Sequence, residues 1–86
     1  MFWIAKTKKS YICDICKKEI FKKEKRLVYG FCSPVYTMID KNICLQCLRN
    51  LDIDEIIYRL NLTQSLETYD YLKKELKKIK NKIFDF

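Results

Sequence analysis

The amino-acid sequence predicts a small α+β domain followed by a C-terminal amphipathic helix, and three features carry that reading. Short runs rich in β-branched and aromatic residues fill the first half of the chain. Apolar residues recur at helical spacing through the second half. Two Cys-x-x-Cys pairs, Cys13/Cys16 and Cys44/Cys47, bracket most of the strand-rich region.

Residues 2–12 alternate loosely and read as an extended arm or strand, broken by Lys6-Thr7-Lys8-Lys9. After the first cysteine pair, Ile20 and Phe21 precede a charged turn at Lys22-Lys23-Glu24-Lys25. Leu27-Val28-Tyr29-Gly30-Phe31 then suits a strand, which Pro34 ends. Val35-Tyr36-Thr37-Met38-Ile39 reads as another strand, and Asp40-Lys41-Asn42 as a turn that delivers the chain to Cys44. Two hairpin-like units are therefore expected between the cysteine pairs. Beyond Cys47, Asp52 and Glu55 have the spacing of a capping box, and Ile53, Ile56, Ile57 and Leu60 share a helix face over about residues 53–61. A first helical turn at 45–51 would run into it. Thr63 or Ser65 can cap the last helix, where Tyr69, Leu72, Leu76, Ile79 and Ile83 are spaced alternately by three and four, as in a heptad seam. The expected organisation is a four-cysteine domain with a basic arm over 1–62 and a helix over 63–86.

Composition bounds the chemistry. With 86 residues, 49% hydrophobic and 34% charged, the chain is too apolar for disorder yet too short to bury a large core without a cross-link. One Gly and one Pro leave no Gly-rich phosphate loop. The apolar run Met1–Ala5 is too short for a signal peptide and its lysines follow it, so a reducing, cytoplasmic setting is expected. In that setting five cysteines favour metal binding over a disulfide framework. No stretch approaches membrane-spanning length.

A two-residue gap lets both sulfurs of a pair reach one tetrahedral ion at about 2.3 Å. Two such pairs complete the shell, so Cys13, Cys16, Cys44 and Cys47 are expected to hold one structural Zn²⁺ with no open position for water. An iron site with four thiolates would use the same ligands. A thiol–disulfide couple is disfavoured, because no βαβ pattern surrounds either pair. Cys32 stands outside the pattern and reads as a small buried hydrophobe, or else as a substitute ligand or redox-sensitive thiol. The chain has no His, no poised nucleophile and no general base, so neither an enzyme nor a small-molecule substrate is expected.

Tyr11-Ile-Cys13-Asp-Ile-Cys16-Lys-Lys-Glu-Ile20 followed by Asn42-Ile-Cys44-Leu-Gln-Cys47-Leu-Arg-Asn-Leu51 resembles the treble-clef zinc fingers, where a knuckle precedes a β-hairpin and the second ligand pair opens a helix. Over residues 11–51 the order of elements is similar to LIM and poly(ADP-ribose) polymerase-type fingers. Those families often use a His ligand, which this chain lacks. The four-cysteine version also resembles small anti-sigma-type zinc proteins.

Net charge is +7 and unevenly placed: residues 1–26 hold nine Lys/Arg against three Asp/Glu. Lys6, Lys8, Lys9, Lys22, Lys23, Lys25 and Arg26 form a candidate nucleic-acid surface, with Trp3, Tyr11 and Phe21 as stacking candidates. A solvated basic face, with Lys17 and Lys18 offsetting a dianionic site, is the plainer account of the same residues. The alternative function is a protein-interaction module or inhibitor, anti-sigma-like or a phage or host regulator, acting through its helices. The heptad residues Tyr69, Leu72, Leu76, Ile79 and Ile83 are expected to form a homodimer interface.

Overall fold

Alternating apolar residues near the amino terminus find their partners across a long hairpin. A computed structural model describes residues 1–62 and 66–84. In it β1 (Phe2–Lys6), β4 (Lys25–Cys32) and β5 (Thr37–Cys44) form an antiparallel sheet in the order β1-β4-β5, while β2 (Tyr11–Ile12) and β3 (Glu19–Ile20) form a separate two-stranded ribbon. Three helices follow: α1 (Leu45–Asn50), α2 (Ile53–Arg59) and α3 (Leu66–Phe84). The chain is thus a mixed helix-and-sheet domain.

The strands depart from expectation in two ways. One hairpin, β4–β5, lies between the cysteine pairs, because β3 folds back on β2 around the first pair. Asp40-Lys41-Asn42 is no turn: β5 runs through it, and the chain reverses at Ser33–Tyr36, where Ser33 N–H donates to the Tyr36 carbonyl at 2.9 Å. The ladder pairs Tyr29 with Lys41 but Gly30 with Ile39, which makes Asp40 the extra residue of a bulge. A turn-prone Asp-Lys-Asn triplet suits a bulge as well as a turn, since both need a local break in pairing. Gly30 permits this crossing, as a Cβ there would lie 2.0 Å from the Met38 carbonyl oxygen.

The helical region divides where Leu51 and Asp52 adopt extended backbone, so α1 and α2 are separate helices. Asp52 occupies the N-cap of α2 without a side-chain cap bond, and Glu55 instead pairs with Arg59 at 2.7 Å. The capping box is therefore unformed. Thr63 and Ser65, the expected caps of α3, lie outside the described residues.

The heptad face of α3 is largely enclosed within a single chain. Leu72 and Leu76 are 2% and 0% exposed within a single chain, and Tyr69, Ile79 and Ile83 pack beside them on the same core as Leu27, Ile43, Leu48 and Ile56. The face expected to meet a second copy packs on the sheet and on α1 and α2 of its own chain. Two polar ties hold it there: Phe2 N–H donates to Glu75 at 2.5 Å, and the Lys80 ammonium donates to the Leu51 carbonyl at 2.8 Å. The half that carries the cysteine cluster and the last helix share one apolar core.

Candidate metal centre

The two cysteine pairs reach the centre from different local structures. Cys13 and Cys16 sit on the turn joining β2 to β3, where Cys13 N–H donates to the Lys18 carbonyl at 2.9 Å and Lys17 N–H to the Cys13 carbonyl at 3.0 Å. Closing so tight a turn puts Lys17 at φ 65°, a left-handed conformation uncommon for a residue with a Cβ. Cys44 ends β5 and is the N-cap of α1, and Cys47 lies one turn into that helix. The two halves are tied where Asn42 meets Asp14: Asn42 N–H donates to the Asp14 carboxylate at 2.6 Å, and Asp14 N–H to the Asn42 carbonyl at 2.8 Å.

This scaffold brings the four Sγ atoms within 4.8 Å of one another. A tetrahedral ion bound at about 2.3 Å requires sulfur separations near 3.8 Å, and Cys13–Cys47 and Cys16–Cys44 stand at 3.8 and 3.6 Å. The residues fit a four-thiolate metal site. Backbone N–H groups already point at the sulfurs: Ile15 and Cys44 donate to Cys13 Sγ, and Cys47 donates to Cys44 Sγ, each at 3.4 Å. Such donors stabilise thiolates. Cys13 is buried while Cys16 lies partly open, so the shell is closed towards the core.

As free thiols Cys16, Cys44 and Cys47 are unequal. Burial raises Cys44 and Cys47 above the ordinary 9.0, and for Cys47 the hydrogen bonds with Cys44 and Cys16 add to the effect. Burial also opposes ionisation of Cys16, but the Lys18 backbone N–H and the neighbouring thiols outweigh it and lower that thiol to about 7. Ionising any one of four clustered thiols discourages the next, which a cation reverses.

Cys32 lies far from this centre in the fold. It is exposed near the hairpin tip, with its Sγ 3.6 Å from Thr37 Oγ1, so the buried-hydrophobe expectation fails. The final residues of β4 extend past the core, paired with β5 and exposed.

Six of the seven candidate nucleic-acid cations gather at the opposite end of the hairpin. Lys6 faces Lys25 across the β1–β4 ladder. The loops carrying Lys8, Lys9, Lys22 and Lys23 are joined by Lys23 N–H donating to the Thr7 carbonyl at 2.8 Å and Thr7 N–H donating to the Glu24 carbonyl at 3.1 Å. All six lysines are exposed. Arg26 is the exception, at 3% exposure: it donates to Asn42 Oδ1 at 2.8 Å and the Lys6 carbonyl at 2.7 Å, with the Tyr11 ring 4.1 Å away. It is a structural cation satisfied by neutral acceptors, and it fixes Asn42 beside the metal centre. The Arg26–Asn42–Asp14 chain escaped sequence reading, since its members are distant in sequence and join only through strand register. Phe21 is 56% exposed beside the lysines, whereas Trp3 and Tyr11 are half-buried.

No helix among the described residues is long and apolar enough to cross a membrane. Set against protein-family models, curated proteins and solved structures, the chain matches none.

Proposed function

We propose that this chain is a non-catalytic zinc protein of treble-clef-like architecture that binds nucleic-acid phosphates through its lysine end. The metal reading rests on four thiols at tetrahedral spacing and on the chemistry of the donor set, since all-cysteine shells are commonest with zinc. Knuckle, hairpin and helix follow in treble-clef order: β2–β3 carries the first ligand pair, β4–β5 follows, and α1 opens on the second. A closed shell has no place for a reacting water, so the ion's work is structural.

The single observation that supports phosphate binding is the hydrogen-bonded joining of the two lysine loops. Lys6, Lys8, Lys9, Lys22, Lys23 and Lys25 thereby share one end of the sheet with Glu24 as the acidic residue among them. Like charges facing each other across a ladder, as Lys6 and Lys25 do, are destabilising unless an anion relieves them. The test is retention of DNA or RNA at low salt. Reversing Lys8, Lys9, Lys22 and Lys23 to Glu should abolish binding with metal content unchanged. Each phosphate contact should add about 0.7 to 0.9 to the slope of log affinity against log salt. Wild-type protein that retains neither nucleic acid removes the reading.

A protein partner is the second reading, and one observation favours it. The helices' apolar faces are largely spent on the core, but Phe31, Val35, Tyr36 and Met38 stand at least half exposed at the hairpin tip. Partner binding at that tip would be insensitive to salt and lost in Val35→Asp.

A further inference from the structure

Between β1 and α3 runs a groove of about 600 Å³. Its apolar lining includes Ile4, Leu45, Ile79 and Ile83, with Trp3 beside them. The charged residues lining it are Lys25 and Lys82, and among the described residues no carboxylate does. A second groove of about 440 Å³ adjoins it, sharing Lys25 and Leu45 and adding Phe21 and Lys18. Glu19 and Glu24 also line this second groove, so its cationic character is weaker, and the Glu24 carboxylate accepts from Phe21 N–H at 3.3 Å.

An apolar groove edged by cations and holding a partly open indole suits a flat, uncharged group attached to an anion. A nucleobase on its phosphate backbone has that chemistry. In a duplex the bases are paired and stacked inward, so only an unpaired strand can lay a base against Trp3 or Phe21. We infer that the two grooves meeting at Lys25 form a path for single-stranded nucleic acid, in which Trp3 and Phe21 stack on bases while Lys18, Lys25 and Lys82 contact phosphates. The inference rests on the phosphate-binding reading above and deepens it: the lysine end attracts the polyanion, and the grooves select unpaired bases. It also gives α3 a share in binding through Lys82.

Trp3 is the chain's one tryptophan, so its fluorescence reports on the groove directly. The metal-loaded full chain is titrated with oligodeoxythymidylate and, in parallel, with the same strand paired to oligodeoxyadenylate. Quenching of Trp3 by the single strand and little by the duplex is expected. Phe21→Ala, at an exposed site, should weaken single-strand binding about tenfold. Lys82→Gln should lower the salt slope by about 0.7. Salt-dependent binding that leaves Trp3 emission unchanged and is indifferent to Phe21→Ala would overturn the path yet leave the lysine-end reading standing. Equal quenching by duplex would overturn it as well. Quenching by vesicles of anionic phospholipid but not by either oligonucleotide would assign the groove to lipid and reject the inference. Absence of any nucleic-acid binding would remove both readings.

Discussion

Among single residues, the cysteines divide by what surrounds their sulfur. Cys13, Cys16, Cys44 and Cys47 converge with N–H donors around them, while Cys32 faces solvent at the hairpin tip. Cys47→Ser should therefore lose the metal and the fold. Cys32→Ser should keep about one equivalent by elemental analysis and unfold within about 0.5 kcal/mol of wild type, as substitutions at uninvolved surface sites do. The thiol acidities give a pH dependence of definite sign. Cys44 and Cys47 are raised above 9.0, so as free thiols both keep their protons at neutral pH, and the metal must displace them. Metal affinity should rise with pH, and calorimetry in buffers of different ionisation enthalpy should detect proton release on loading. For the bound chain the thiolate form is the folded one, so stability contributed by the metal is present at neutral pH and lost on acidification. In whatever metal-free chain remains folded, Cys44 and Cys47, raised by folding, favour the fold below their unfolded value and lose that contribution as pH climbs through the folded one, whereas Cys16, lowered to about 7, acts with the opposite sign. A metal-loaded protein whose Tm is flat between pH 7 and about pH 4 would contradict the assignment.

At the level of elements, α3 shows how a pattern can name a helix without naming what covers it. Alternating threes and fours give the same stripe whether the helix meets another copy or its own sheet. The structure chooses the sheet because β1, α1 and α2 each leave apolar residues open on the side where α3 lies, with Leu76 fully enclosed among them. Leu76→Ala should cost about 3 kcal/mol and lower Tm by more than about 10 °C, without changing the mass seen in sedimentation equilibrium. A loss of mass with unchanged Tm would restore the dimer seam. The β4–β5 hairpin has a related lesson. Its base is buried around Leu27 and Ile43 and its tip is exposed, a contrast that β-propensity does not register because both ends are equally rich in apolar residues.

Taken whole, the molecule joins a thiol cluster and an apolar core that meet along α1, where Cys47 and Leu48 are both buried. With only 86 residues the core alone is marginal, so the metal is expected to supply much of the folding free energy. Stripping it with a chelator should abolish the native far-UV circular dichroism and restoring zinc should recover it. Retention of cooperative unfolding in the stripped chain would show that the core suffices. The sequence by itself determined which four cysteines gather, the mixed helix-and-sheet class, the presence of a long last helix and the excess of positive charge. Each of these depends on local spacing or composition: the two-residue gap is a property of a single turn, and the heptad a property of a single helix. Only the tertiary structure decided that Arg26 is buried, that Cys32 is not, that Asp40 is a bulge, and that the last helix returns to its own core. Those outcomes depend on which strands pair and in what register, and a chain's local preferences are the same in many registers until long-range packing selects one.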